Sequence, residues 1–315
     1  MTRFLTRKLG EALIVLVLVT LAVQLLSDLI PGSPAALILG DTSNKEAVAK
    51  LNQEYGFDKP FFDRYWLWID HAFHGKLGVS VQSNETVTHI LLQRLPVTLE
   101  IAIATIILSL LISVPVAMIC AARELGLVDR LVTLVSSVMF GVPTFVGSVI
   151  LFELLAHQTG WLPTFGWVGI SANIGQNINH AILPVLISSL GVTALFTRVL
   201  RADLVAVLRE DFVLSARAKG LPDRYIMFRH ALRPAARSLF TMTGLIFGFL
   251  LGGSIIVENY FSLPGVGQAV AQAVNGKDLP VVQGVVVLVA LVYLVLNTLV
   301  DVGLVLLDPQ TRVGA

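Results

Sequence analysis

Six long stretches of this chain carry no charged residue: 12–27, 101–122, 131–152, 181–197, 238–257 and 279–300. They run from 16 to 22 residues. An α-helix needs about 20 apolar residues to cross a bilayer, and flanking residues or tilt make up the difference. Strands of a membrane barrel are about ten residues long and alternate in polarity, a pattern absent from all six. Charged residues are 14% of the 315 and the mean hydropathy is +0.81, whereas an ordinary soluble domain is about 25% charged. Disorder needs low hydrophobicity and high net charge. The single cysteine, Cys120, excludes a disulfide scaffold. A net charge of +1 supplies no field for gripping nucleic acid. The expected fold class is an all-α polytopic membrane protein with six transmembrane helices, in contact with lipid.

The first stretch follows Arg3, Arg7 and Lys8, as the apolar core of a signal peptide would. It outruns the usual length of such a core and has no small-residue cleavage site after it, so it reads as an uncleaved first helix. Lysine and arginine set the orientation. With the N-terminus inside, 15 of the 22 basic residues face the cytoplasm: Arg3, Arg7, Lys8, Arg123, Arg130, the nine from Arg198 to Arg237, and Arg312. The outside keeps Lys277 and six bases in one long loop, where seven acids offset them. The expected topology is N-in/C-in.

That long loop, residues 32–96, is expected to form an extracytoplasmic helical segment. Pro31-Gly32-Ser33-Pro34 opens it, and helix starts are expected at Asn44-Lys45-Glu46-Ala47 and Lys59-Pro60-Phe61. Its aromatics, Tyr55, Phe57, Phe61, Phe62, Tyr65, Trp66 and Trp68, fit an interfacial belt or a docking surface for a soluble partner.

Catalytic signatures are missing. No phosphate-binding P-loop occurs; Asn275-Gly276-Lys277-Asp278 lacks the upstream glycine and the magnesium-binding hydroxyl. No H-E-x-x-H and no nucleophile elbow occur. His71 and His74 lack a third metal ligand nearby. No catalytic residue, metal site or cofactor is therefore assigned. Cys120 reads as packing.

Charges near the membrane are costly and so carry information. Glu100 opens the second stretch and Glu153 closes the third. Asp301 lies deeper and is expected to pair with Arg198 or Arg201, a proton relay being the alternative. Pro115 and Pro143 should kink the second and third spans. Gly244, Gly248 and Gly252 line one helix face, where a neighbouring helix or a partner can come close or a pore can be lined.

The inner segment 202–234 is the most specific feature. Glu210 and Asp211 favour a helix start. Phe212 to Lys219 then reads as two helical turns. Gly220 fits the C′ position and Pro222 the first turn of a second helix. That helix, 223–232, is amphipathic and basic, with Arg224, Arg229 and Arg233, and Pro234 is expected to limit it. Anionic lipid heads would explain the arginines. The small residues Ser215, Ala216, Ala218 and Gly220 suit insertion into a partner's cleft.

Ser215-Ala216-Arg217-Ala218-Lys219-Gly220-Leu221 followed by Arg229-His230-Ala231-Leu232-Arg233-Pro234 resembles the EAA loop of ABC importer permeases. The closest likeness is to the B-type subunit of the dipeptide/oligopeptide transport family. The likeness extends over nearly the whole chain: Arg94 to Glu100, Ile256 to Glu258, Phe261 to Gly267, Asp278 to Gly284, Asn297 with Asp301, and Leu307 to Arg312 match that family's pattern. Lys76, Ser215 and Gln310 depart from it, standing where aspartate, glutamate and arginine are usual.

The resemblance implies a type I permease subunit of the prokaryotic inner membrane. It implies a homologous second permease as heterodimer partner, cytoplasmic ATP-binding subunits that hold ATP and magnesium, and an extracytoplasmic substrate-binding protein. Peptides are the default cargo; nickel chelates and haem travel through related permeases. The coupling residues it implies are Asp211, Ser215, Ala216, Ala218, Lys219, Gly220 and Arg224, within 211–234. The implied division is 1–31 for the inner tail and first helix, 32–96 for the outer segment, 97–306 for the type I transmembrane domain and 307–315 for the inner tail. An ion-coupled secondary transporter is the other class that six helices and Asp301 allow, but it needs inverted repeats, which are not seen.

Overall fold

The computed structural model describes residues 2–29, 46, 49, 59–163 and 165–307, without the side chains of 2–9, 12, 26–29, 301 and 304–307. The helix start expected at 44–47 lies outside the described residues except for Glu46, which is helical. The main elements are α1 (Thr2–Leu29), α2 (Phe61–Phe73), α3 (Val87–Ala122), α4 (Leu127–Gly141) and α5 (Thr144–Phe152) with a π turn at Glu153–His157. There follow α6 (Ile174–Val207), α7 (Asp211–Ala218), α8 (Asp223–Tyr225) with a π segment Ile226–Ala231, α9 (Leu232–Gly253), α10 (Ile255–Tyr260), α11 (Val266–Asn275) and α12 (Leu279–Leu307). Among the described residues the only β pairing is a bridge between Val79 and Thr86.

Among the described residues, four helices are long and apolar enough to cross a membrane: Val87–Ala122, Ile174–Val207, Asp223–Tyr260 and Leu279–Val300. A fifth exists if the bent pair Leu127–Gly141 and Thr144–His157 counts as one. α1 carries a shorter apolar run, Leu13–Leu25. The third stretch bends at the expected proline, but far more sharply than a kink. Its two halves meet at 101°. The residue before a proline is driven out of the helical region, and Val142 is extended at φ −77°, ψ 118°, with Pro143 opening α5. Pro115, by contrast, does not interrupt α3. Glu100 does not open its helix either, because α3 begins at Val87.

The chain divides into two compact units, Met1–Thr98 with Pro264–Leu294 and Leu99–Leu263 with Val295–Ala315. The first has an apolar core of Val87, Leu91, Val266, Ala273, Val281 and Val285. Polar contacts fix its helices. The Tyr65 and Thr20 hydroxyls lie 2.9 Å apart, tying α2 to α1. The Val266 amide, an orphan donor at the start of α11, donates to Thr98 Oγ1 at 2.8 Å. Asp278 is buried, accepts from Ser80 Oγ at 2.5 Å and caps α12.

The second unit is built on α6. Asn173 caps its start by accepting the Gln176 amide at 3.0 Å. Its core joins Ala117, Met118 and Ala121 of α3, Phe196, Leu200 and Leu204 of α6, Met227 and Ala231 of the π segment, and Leu239 of α9. Phe152, Phe165, Tyr260 and Phe261 form a ring cluster with centroids 5.1 to 6.3 Å apart.

Candidate coupling interface

α6 ends in a turn at Leu208–Glu210, and α7 begins with Glu210 extended and Asp211 in the first turn. Neither carboxylate caps the helix through its side chain, so Asp211 acts through the helix dipole alone. The far end of α7 is closed by two bonds. The Gly220 amide donates to Arg217 O at 2.9 Å and the Leu221 amide to Ala216 O at 3.3 Å. This is a Schellman motif, with Gly220 in the left-handed region at φ 77°. Leu221 then packs on a small core of Val213, Ala216 and Ile226, which the loop makes for itself.

The second helix of the loop differs from expectation. Pro222 sits outside it in extended conformation, and the helix does not stop near Pro234. α8, the π segment, α9 and α10 run as one span from Asp223 to Tyr260. Proline breaks a helix because it lacks an N–H and its ring meets the carbonyl four residues back. The wider π turn just ahead of Pro234 shifts the bonding register, with Leu232 N–H reaching back to Met227 O, and so accommodates the ring.

Asp211, Ser215, Ala218, Lys219, Gly220 and Arg224 are all exposed on this knob. Ala216 is not. It is 6% exposed and belongs to the internal core with Val213 and Ile226, so it supports the knob from within rather than presenting a contact. Four residues outside the expected coupling set share the outer surface: Phe212, Leu214, Tyr225 and Phe228, the last 65% exposed. Their signal was available, because apolar residues flanking charged ones on a short amphipathic helix leave some of them without a core to enter. Arg217 Nε lies 3.4 Å from Asp223 Oδ1 and bridges the two helices across the glycine turn.

Of the two arginines expected near Asp301, Arg201 has a partner of its own. Arg201 forms a forked pair with Asp129: Nε to Oδ1, and Nη2 to Oδ2 at 2.6 Å. The Asp301 side chain lies outside the described residues. On α9, Gly244 is buried, Gly248 half-buried and Gly252 exposed. The stripe is thus packed at one end and open at the other. Among the described residues no three potential ligands gather to hold a metal.

Residues 113–313 match the family described as binding-protein-dependent transport system inner membrane component, and residues 1–102 match its N-terminal counterpart. The chain belongs to this family. It is 34% identical to a probable peptide ABC transporter permease of Sinorhizobium fredii, over 98% of this chain and 99% of that one. A putative peptide transport system permease of Brucella abortus is 30% identical, and the glutathione transport system permease GsiC of Escherichia coli is 32% identical, each over 99% of both chains. As an inner membrane permease subunit of an ABC importer, the chain works with ATP-binding and substrate-binding proteins and is not itself the ATPase.

Proposed function

We propose that this permease imports di- and oligopeptides, forming half of a translocation path with a homologous second permease. The observation that carries the coupling half of this reading is the knob at 211–234. It is closed by its own Schellman turn and core, yet leaves small residues, basic residues and four large apolar side chains exposed. A partner's cleft would cover that surface. Ser215, Ala218, Lys219, Gly220 and Arg224 make the contact, Asp211 sets the helix, and Ala216 keeps the knob in shape. ATP and magnesium are held by the partner subunits. Closure of those subunits pulls on the knob and reorients the helices between inward and outward access.

The peptide reading is supported by the relatives above, which are named as peptide and glutathione transport permeases. The topology is six crossings, N-in/C-in, supported by the lysine and arginine asymmetry. In that topology 1–31 holds the inner tail and first helix, 32–96 the outer segment, 97–306 the transmembrane domain and 307–315 the inner tail. The test is uptake of labelled peptides into cells expressing the whole complex. Uptake is expected to vanish when ATP is depleted with the ion gradient intact, and excess unlabelled dipeptide or glutathione is expected to compete. Uptake that follows the ion gradient instead would overturn the reading.

A further inference from the structure

The short turn between α3 and α4 is held more firmly than a connection requires. Asp129, at the start of α4, is buried and accepts three donors: Arg201 Nε, Arg201 Nη2, and the Leu125 amide at 2.9 Å. Leu125 lies in the left-handed region at φ 61°, which residues with a Cβ seldom adopt. A Cβ on Gly126 would stand 2.9 Å from Arg123 O, so the next position is constrained as well. At the other side of the turn, Glu124 takes both carboxylate oxygens to Arg209 Nη2, at 2.8 and 2.9 Å.

Both arginines come from the end of α6 and the turn that follows it. Arg201 lies within the helix, and Arg209 directly precedes Glu210, where α7 and the knob begin. Beneath these pairs, the same apolar core joins Ala121 of α3, Leu200 and Leu204 of α6, and Met227 and Ala231 of the knob's second helix. Forked arginine–carboxylate pairs fix direction as well as distance. Asp129–Arg201 is such a pair; Glu124–Arg209, where one nitrogen serves both oxygens, adds a second, exposed tie, and together they leave the turn little freedom relative to α6.

We propose that Asp129–Arg201 and Glu124–Arg209 form a double clamp that makes the 123–129 turn travel with the coupling knob, so that a pull on the knob moves α3 and α4 together with α6. The four are positioning residues. The inference rests on the coupling role proposed above for the knob.

The test uses the complete complex, copurified with its ATP-binding subunits and reconstituted in liposomes with its binding protein. D129N and R201Q open the buried pair; E124Q and R209E open the exposed one; E124R with R209E reverses it. Each variant is expected to keep its ATP-binding subunits and basal ATP hydrolysis. Transport per ATP hydrolysed is expected to fall about tenfold when both pairs are opened, in the range of energetic coupling between sites. The reversed pair is expected to recover what R209E alone loses. Spin labels at Leu127 and Ala206, in a Cys120→Ala background, are expected to keep one distance between the nucleotide-free and ATP-trapped states.

A distance that changes between those states in the otherwise unaltered complex overturns the clamp. So does unaltered transport per ATP when both pairs are open. If the Asp129 variants do not assemble, the exposed pair and the distance measurement decide alone. Failure of the knob to hold the ATP-binding subunits is a different result: they would remain bound to Gly220 variants, and the clamp variants would not affect that binding.

Discussion

A Cβ placed on Gly244 would stand 2.8 Å from a methyl carbon of Val300, so α9 and the end of α12 meet there with no room for a side chain. Gly303 repeats the contact, where a Cβ would meet the Phe240 ring at 2.9 Å. At Gly252 nothing stands within 4 Å. The two ends of the glycine stripe therefore predict opposite outcomes. Gly244→Ala forces neighbours apart and is expected to cost about 1–3 kcal/mol, as overpacking does. Gly252→Ala is expected to leave the isolated subunit unharmed. Thermal unfolding of the detergent-purified subunit measures both. If Gly252→Ala lowers stability only in the complex with the second permease, that end of the stripe is the subunit contact.

Gly220 separates backbone strain from bulk. At φ 77° it occupies a conformation that costs roughly 1–2 kcal/mol for a residue with a Cβ. Asparagine tolerates it better. Gly220→Leu is expected to abolish transport and weaken binding of the ATP-binding subunits, with the permease still in the membrane. Gly220→Asn is expected to be milder. Ala216→Trp would burst the core with Val213 and Ile226, so it is expected to unfold the knob. Copurification of the ATP-binding subunits ranks the three. Equal retention by Gly220→Leu and the parent chain would remove the knob as the docking element.

Topology is read by thiol labelling in a Cys120→Ala background. Gly276 is only half-exposed. Ser83 and Asn275 are exposed and suit the purpose. Cysteines at both are expected to react with an impermeant reagent in intact cells, and one at Asp223 only after the membrane is opened. Labelling at Asp223 in intact cells would reverse the orientation.

Two buried polar sites predict opposite responses to alanine. Asp278 caps α12 and accepts from Ser80. Asp278→Ala removes the cap and strands a buried hydroxyl, a loss of about 1–3 kcal/mol. Ser109 and Ser113 of α3 are fully buried, and their hydroxyls have no hydrogen-bond partner among the described residues. Ser109→Ala and Ser113→Ala delete an unsatisfied group and are expected to be neutral or stabilising by about 1 kcal/mol. Calorimetry of the purified subunit separates the cases. A large loss at Ser109 would mean that its oxygen has a partner after all.

The helical class and the knob were legible because both are local. Uncharged runs report apolar helices directly, and Glu210, Gly220 and Pro222 announce their turn through backbone preference. Long-range pairings were not legible. The pairing of Arg201 with Asp129 has no local signal, because it depends on α4 packing along α6. Ala216 shows the same limit. Small size suited either an exposed contact or an internal core, and the choice depends on Ile226 folding back across Gly220. Pro143 and Pro115 look alike in sequence, yet one sits at a right-angled break and the other within a continuous helix.

The π segment at Ile226–Ala231 also sets a phase. An α-helix advances about 100° per residue, so the wider turn decides which way every later side chain of α9 points. Removing one residue from it would leave the knob sequence and the apolar span intact. It would nonetheless swing Gly244 about a quarter-turn away from Val300 and bring a neighbouring side chain round in its place. A single-residue deletion there acts like a slipped gear tooth, harmless to each part and disabling for the mesh between them.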